Sequence, residues 1–125
     1  MYINVENKKT YIATGSKEHI EGSMGITFIH GTAMDHTVWT LASRHFARLG
    51  LNILAVDLPA HGHSEGDLIP SIEGMADWVI KAMDAAGLEK SIIVGHSMGS
   101  LVAFDVAARY PDRITALAMV GTALP

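Results

Sequence analysis

Ser91-Ile92-Ile93-Val94-Gly95-His96-Ser97-Met98-Gly99-Ser100-Leu101-Val102-Ala103-Phe104 decides the fold class. Ser91–Val94 is a short apolar run of the kind that strands covered on both faces require, and a helix follows from about Ser97 to Tyr110, stopped before Pro111-Asp112. Gly95-His96-Ser97-Met98-Gly99 lies where the strand passes directly into the helix. A serine there sits on a tight, strained turn, and the flanking glycines remove side chains that would clash across it. The Ser97 hydroxyl is then held at the C-terminal edge of a sheet and at the start of a helix, whose dipole and free N–H groups favour a developing anion. Read instead as an ordinary helix N-cap, the same serine would need no such glycines.

Working outward, three more apolar runs read as buried strands: Gly25–His30, Leu51–Val56 and Ile114–Val120. Ile72, Met75, Ala76, Val79, Ile80 and Met83 form one helical stripe, with Ser71 as N-cap and Gly87 as left-handed stop. Val38, Leu41, Ala42, His45, Phe46 and Leu49 repeat that spacing in an earlier helix ended by Gly50, which predicts a packed His45. Residues 2–14 read as a hairpin around a polar turn at Asn7-Lys8. Strands alternating with helices of this length predict an α/β chain, a mainly parallel sheet with helices on both faces and an antiparallel N-terminal hairpin. The right-handed crossover rule puts the first helix on one face and the next two on the other.

The 125 residues are 49% hydrophobic, with nine basic against thirteen acidic side chains, a net charge of −4 and no cysteine. One domain fills that length. The acidic balance and the lack of a Lys/Arg run argue against nucleic acid as a partner, because such binding neutralises phosphates. Without cysteine there is no disulfide, thiolate zinc site, iron–sulfur cluster or cysteine nucleophile, so any chemistry falls to Ser, His, Asp and Glu. No apolar run reaches the roughly 18 residues of a membrane span, and the start, Met-Tyr-Ile-Asn-Val-Glu, has no basic segment followed by an apolar one. The expectation is a cytoplasmic protein with no membrane partner.

Two loops support the reading of Ser97. His30-Gly31-Thr32 follows one strand, where an acyl-transfer enzyme of this architecture supplies a second oxyanion donor, and Asp57-Leu58-Pro59-Ala60-His61-Gly62-His63-Ser64 follows the next as a tight polar loop. With the Gly-x-Ser-x-Gly elbow, Trp39 and the opening hairpin, the chain resembles the α/β-hydrolase superfamily over essentially its whole length. Ala60 stands where many members have glycine, and a serine at the elbow points away from the dehalogenase and epoxide-hydrolase branches. The resemblance implies the strand order 1-2-4-3-5-6, Ser97 as nucleophile, and the backbone N–H groups of Thr32 and Met98 as oxyanion hole. It implies a small-molecule acyl substrate and no cofactor. The family's acid and histidine follow the sixth strand, whereas residues 98–125 hold no histidine and only Asp105 and Asp112 as acids. Residues 1–125 therefore read as the N-terminal part of a single hydrolase domain.

None of the seven histidines is expected to serve as the base. His96 leaves on the other side of the turn, His30 shapes the oxyanion loop, and His61-Gly-His63 lacks a third ligand at a recognisable spacing, so no metal is expected. Neither G-x-G-x-x-G nor a P-loop occurs, which leaves a nucleotide-binding sheet without a phosphate cradle. The functional expectation is the N-terminal portion of a serine hydrolase of the esterase, lipase or lactonase kind. The alternative is a non-catalytic fragment or binding module of the same fold. In either case residues 114–120 form an apolar edge strand, expected to self-associate or to pair with a missing C-terminal half.

Overall fold

The computed structural model describes residues 1–122. Its elements are β1 (Tyr2–Val5), β2 (Lys8–Ala13), β3 (Gly25–Ile29), α1 (Thr40–Arg48), β4 (Asn52–Val56), α2 (Ile72–Ala85), β5 (Ser91–His96), α3 (Met98–Arg109) and β6 (Ile114–Val120). They build a six-stranded sheet in the order β1-β2-β4-β3-β5-β6, as expected. The β1/β2 and β2/β4 pairs are antiparallel; β4, β3, β5 and β6 run parallel.

The hairpin turn differs from the expectation by one residue. Val5 pairs with Lys8, so Glu6-Asn7 forms the two-residue loop, with φ +51 and +63. Two positive φ values match the twist of the flanking strands, which is why such loops favour Asn at this place.

Every residue of β3 and β4 is buried, which accounts for their unbroken apolar reading. On one sheet face Ile29, Leu54, Val56 and Ile93 pack against Val79 and Met83 of α2 and Val102 and Val106 of α3. On the other, Ile26, Phe28, Ile53 and Val94 meet Trp39 and Ala47, with the Phe28 and Trp39 rings 4.9 Å apart. Full burial of one such side chain contributes roughly 1.5–3 kcal/mol, so these two layers supply most of the driving force. The division of the helices between faces is the expected one.

Helix α2 obeys its stripe and buries Trp78 besides. Ser71 Oγ accepts from the Gly74 N–H at 3.0 Å, and Gly87 takes φ +77 beyond the last turn. Helix α1 corrects its stripe. The chain enters it through a 3-10 turn, His36–Trp39, whose tighter winding breaks the 3.6-residue phase assumed from Val38 onward. The inward face is Trp39, Ser43 and Ala47, with Ala42 and Phe46 of the expected stripe packed half-buried beside it, while Leu41 is 83% exposed and Val38, His45 and Leu49 face outward. Small residues point inward because Gly15 crosses the helix there; a Cβ on Gly15 would lie under 3.0 Å from Ser43 and Ala47. His45 is thus not a packed histidine; its ring leans on Phe46.

Candidate active site

Ser97 occupies the joint between β5 and α3 with φ +56 and ψ −122, the left-handed backbone that a sharp strand-to-helix turn demands. Its N–H donates to the Val120 carbonyl at 3.0 Å, and its carbonyl accepts from the N–H of Ser100 at 2.9 Å and the Ser100 hydroxyl at 2.5 Å. These bonds hold the strained backbone from both sides while the Ser97 side chain makes no cap bond. The glycines are explained by approach distances: a Cβ on Gly95 would lie under 3.0 Å from the Gly99 backbone, and one on Gly99 equally close to the carbonyls of Ile29 and His30. The N–H of Met98, the first of α3, lies where a helix supplies no carbonyl one turn earlier to accept it.

The loop after β3 lies against this elbow. A Cβ on Gly31 would stand 3.2 Å from Ser97 Cβ, so the backbone of Gly31, with Thr32 next to it, borders the serine. His30 is fully buried behind the loop. Its Nδ1–H donates to the Gly31 carbonyl at 2.7 Å, and its Nε2 accepts the Leu58 N–H at 3.1 Å. Those partners fix one neutral tautomer, and burial holds the ring's pKa below the ordinary 6.5, with the Gly31 bond opposing only in part.

The loop after β4 completes the arrangement. Asp57 is buried; its Oδ1 accepts the His36 N–H at 2.7 Å and His36 Nδ1–H at 2.8 Å, and its Oδ2 accepts the His63 N–H at 2.9 Å. Gly62, at φ +52, is required because a Cβ there would fall on the Asp57 carboxylate. Ser64 Oγ donates to the Asp57 carbonyl at 2.7 Å and accepts the Tyr11 N–H at 2.9 Å, which ties the loop to the hairpin. His61 gives Nδ1–H to the Pro59 carbonyl at 3.0 Å and accepts the Ala33 N–H on Nε2 at 3.3 Å. The sequence marked this loop only as tight and polar. The roles of Asp57, His36 and His61 escaped it, although the Asp57-to-Gly62 spacing carried the signal.

Asp35, His36 and Asp57 bring ligand atoms within 4.8 Å of one another. Asp57 already receives three N–H donors, and an Asp35 oxygen accepts both the hydroxyl and the N–H of Thr37, which hold the Asp35 carboxyl below its usual range. His61 spans Pro59 and Ala33, while His63 lies edge-on to Tyr11. The His96 ring sits beside Gly121 and 6.3 Å from Trp39, its buried Nδ1 without a partner among the described residues. His30 and His61 spend both ring nitrogens on the chain itself, and His36 gives Nδ1 to Asp57. A cavity of about 380 Å³ lined by Ile12, Lys17, Asn52, Leu54 and Leu88 opens at the N-terminal end of β4, away from Ser97.

Residues 26–125 match the sequence profile of the alpha/beta hydrolase fold. The chain is 36% identical over 100 residues to a dihydrolipoyllysine-residue acetyltransferase component of the acetoin cleaving system of Cupriavidus necator, covering 79% of this chain and 26% of that protein. It is 33% identical over 106 residues to the pimeloyl-[acyl-carrier protein] methyl ester esterase of Citrobacter koseri, covering 82% of this chain and 38% of that enzyme. The crystal structure of a CIB-like hydrolase from Thermoplasma acidophilum superposes with a TM-score of 0.88 at 21% identity, over 99% of this chain and 62% of that one. The chain spans between 26% and 43% of the length of these and similar curated relatives. On the profile match over most of its length, together with its sheet order and elbow, the chain belongs to the alpha/beta hydrolase fold family.

Proposed function

We propose that this chain carries the nucleophile and oxyanion hole of a serine hydrolase acting on an ester, thioester, lactone or related acyl substrate. The observation that carries the reading is Ser97 at φ +56 between β5 and α3, with the Gly31–Thr32 backbone beside it. In this reading Ser97 Oγ attacks the acyl carbon and its proton passes to a histidine outside residues 1–125. The N–H groups of Thr32 and Met98 hold the tetrahedral oxyanion. Collapse expels the alcohol, thiol or lactone oxygen as leaving group, with the proton returned to it, and water then releases the acid from the acyl-serine. The esterase relative from Citrobacter koseri and a solved N-acyl homoserine lactone degrading enzyme fit that acyl class. The general base and its acid, a C-terminal half that supplies them, and a cytoplasmic location belong to the same proposal.

The test is ester hydrolysis by the polypeptide encoded when the reading frame is followed beyond the Pro125 codon. Ser97→Ala is expected to lower kcat by about 10⁶, down to the residue left by binding and the oxyanion hole. Equal activity in Ser97→Ala sinks the reading. A folded polypeptide without turnover on any acyl ester would favour the non-catalytic binding module.

A further inference from the structure

The oxyanion loop carries a second strained residue. Ala33 has φ +60, a conformation that an L side chain rarely adopts, one position after Thr32. Within the loop the Met34 N–H closes the turn on the Gly31 carbonyl at 3.2 Å. The only acceptor found for the Ala33 N–H among the described residues is His61 Nε2, at 3.3 Å. The ring is itself held: Nδ1–H donates to the Pro59 carbonyl at 3.0 Å, and its centroid lies 4.9 Å from that of the buried His30 ring, the two planes tilted by 45°. Since a carbonyl can only accept and an amide N–H can only donate, these partners require one neutral tautomer, bare at Nε2. Further along the loop the His36 N–H is held by Asp57, so both anchors reach the oxyanion loop from residues 57–64.

We infer that His61 is a positioning residue for the reaction: through Nε2 it holds the Ala33 N–H, on the peptide that follows Thr32, and so steadies the turn in which the Gly31–Thr32 peptide, its carbonyl held by the His30 Nδ1–H and the Met34 N–H, presents the Thr32 N–H. This rests on the proposed hydrolase reading only for the use made of the Thr32 N–H; the hold on Ala33 stands apart from it. A small misplacement of one oxyanion donor costs rate without weakening substrate binding, since the bond forms mainly in the transition state.

The experiment compares His61→Leu, His61→Gln and, as an exposed control, His45→Leu. Amide exchange at Ala33 is read by NMR on the 125-residue chain, and kcat and KM are read on the extended polypeptide. His61→Leu is expected to speed Ala33 exchange at least about tenfold and to lower kcat about 10- to 100-fold with KM unchanged. His61→Gln, whose side-chain oxygen can accept the same N–H, is expected to restore both. Unchanged Ala33 exchange in His61→Leu overturns the inference, as does a kcat no lower than that of His45→Leu. If His61→Leu fails to fold, a folded His61→Gln with unprotected Ala33 and undiminished kcat overturns it instead. Failure of the hydrolase reading shows separately, as full activity in Ser97→Ala.

Discussion

Ala60 occupies a left-handed position, φ +63, with an exposed Cβ and no hydrogen-bonding side chain to compensate. An L residue there costs about 1–2 kcal/mol, and the extra freedom of glycine in the unfolded chain returns about 0.5–1 kcal/mol of that. Ala60→Gly is therefore expected to stabilise the fold by about 0.5–1 kcal/mol, read as a higher denaturation midpoint at unchanged slope. His30 imposes a pH dependence of definite sign. Because its pKa in the fold lies below 6.5, the unfolded chain binds the proton first as pH falls. Its contribution is complete above about pH 6.5 and is lost progressively below that value. Thermal unfolding followed from pH 8 to pH 5 should show a flat region and then a decline, and His30→Gln should flatten the decline. Ser97 was legible in the sequence because its glycines are a local pattern. The seam formed by Asp57, His36 and His61 was not, because its bonds join residues 21 to 28 positions apart that only the sheet order brings together.

Among the elements, the strands and α2 were readable because each is governed by one neighbour relation: apolar cover on both faces for β3 and β4, a single sheet face for α2. Helix α1 misled because its inward face was decided by the crossing of Gly15, where small residues outcompete Leu41 for the interior. β6 is a strand of the interior type at an edge. It pairs with β5 on one side only, and Leu117, Met119 and Val120 are between 37% and 46% exposed. Unpaired N–H and C=O groups beside uncovered apolar side chains form a template for further pairing. Made alone, the chain is expected to associate at micromolar concentration by sedimentation, and Leu117→Lys to shift the population toward monomer. A wild-type monomer with a cooperative thermal transition would contradict this.

Taken as one body, the described residues bring together, on the proposed reading, two of the three parts that acyl transfer by a serine requires. The elbow presents Ser97, the proposed nucleophile, and the β3 loop, held by residues 57–64, lies beside it as the proposed second shelf for the oxyanion. The third part, an imidazole to take the Ser97 proton, is proposed to come from outside them: both ring nitrogens of His30 and His61 are tied within the chain, and the His96 ring lies against Gly121. No helix of the described residues is long and apolar enough to cross a membrane. The most direct measurement is the rate and site of fluorophosphonate modification of the purified 125-residue chain, followed by intact mass and peptide mapping. The expected result is a slow adduct confined to Ser97 and absent from Ser97→Ala, on the order of 10³-fold or more slower than a complete triad would give, since an unassisted hydroxyl is a weak nucleophile. Rapid stoichiometric labelling would place a working base within residues 1–125, and an adduct on any other residue would remove Ser97 as the nucleophile.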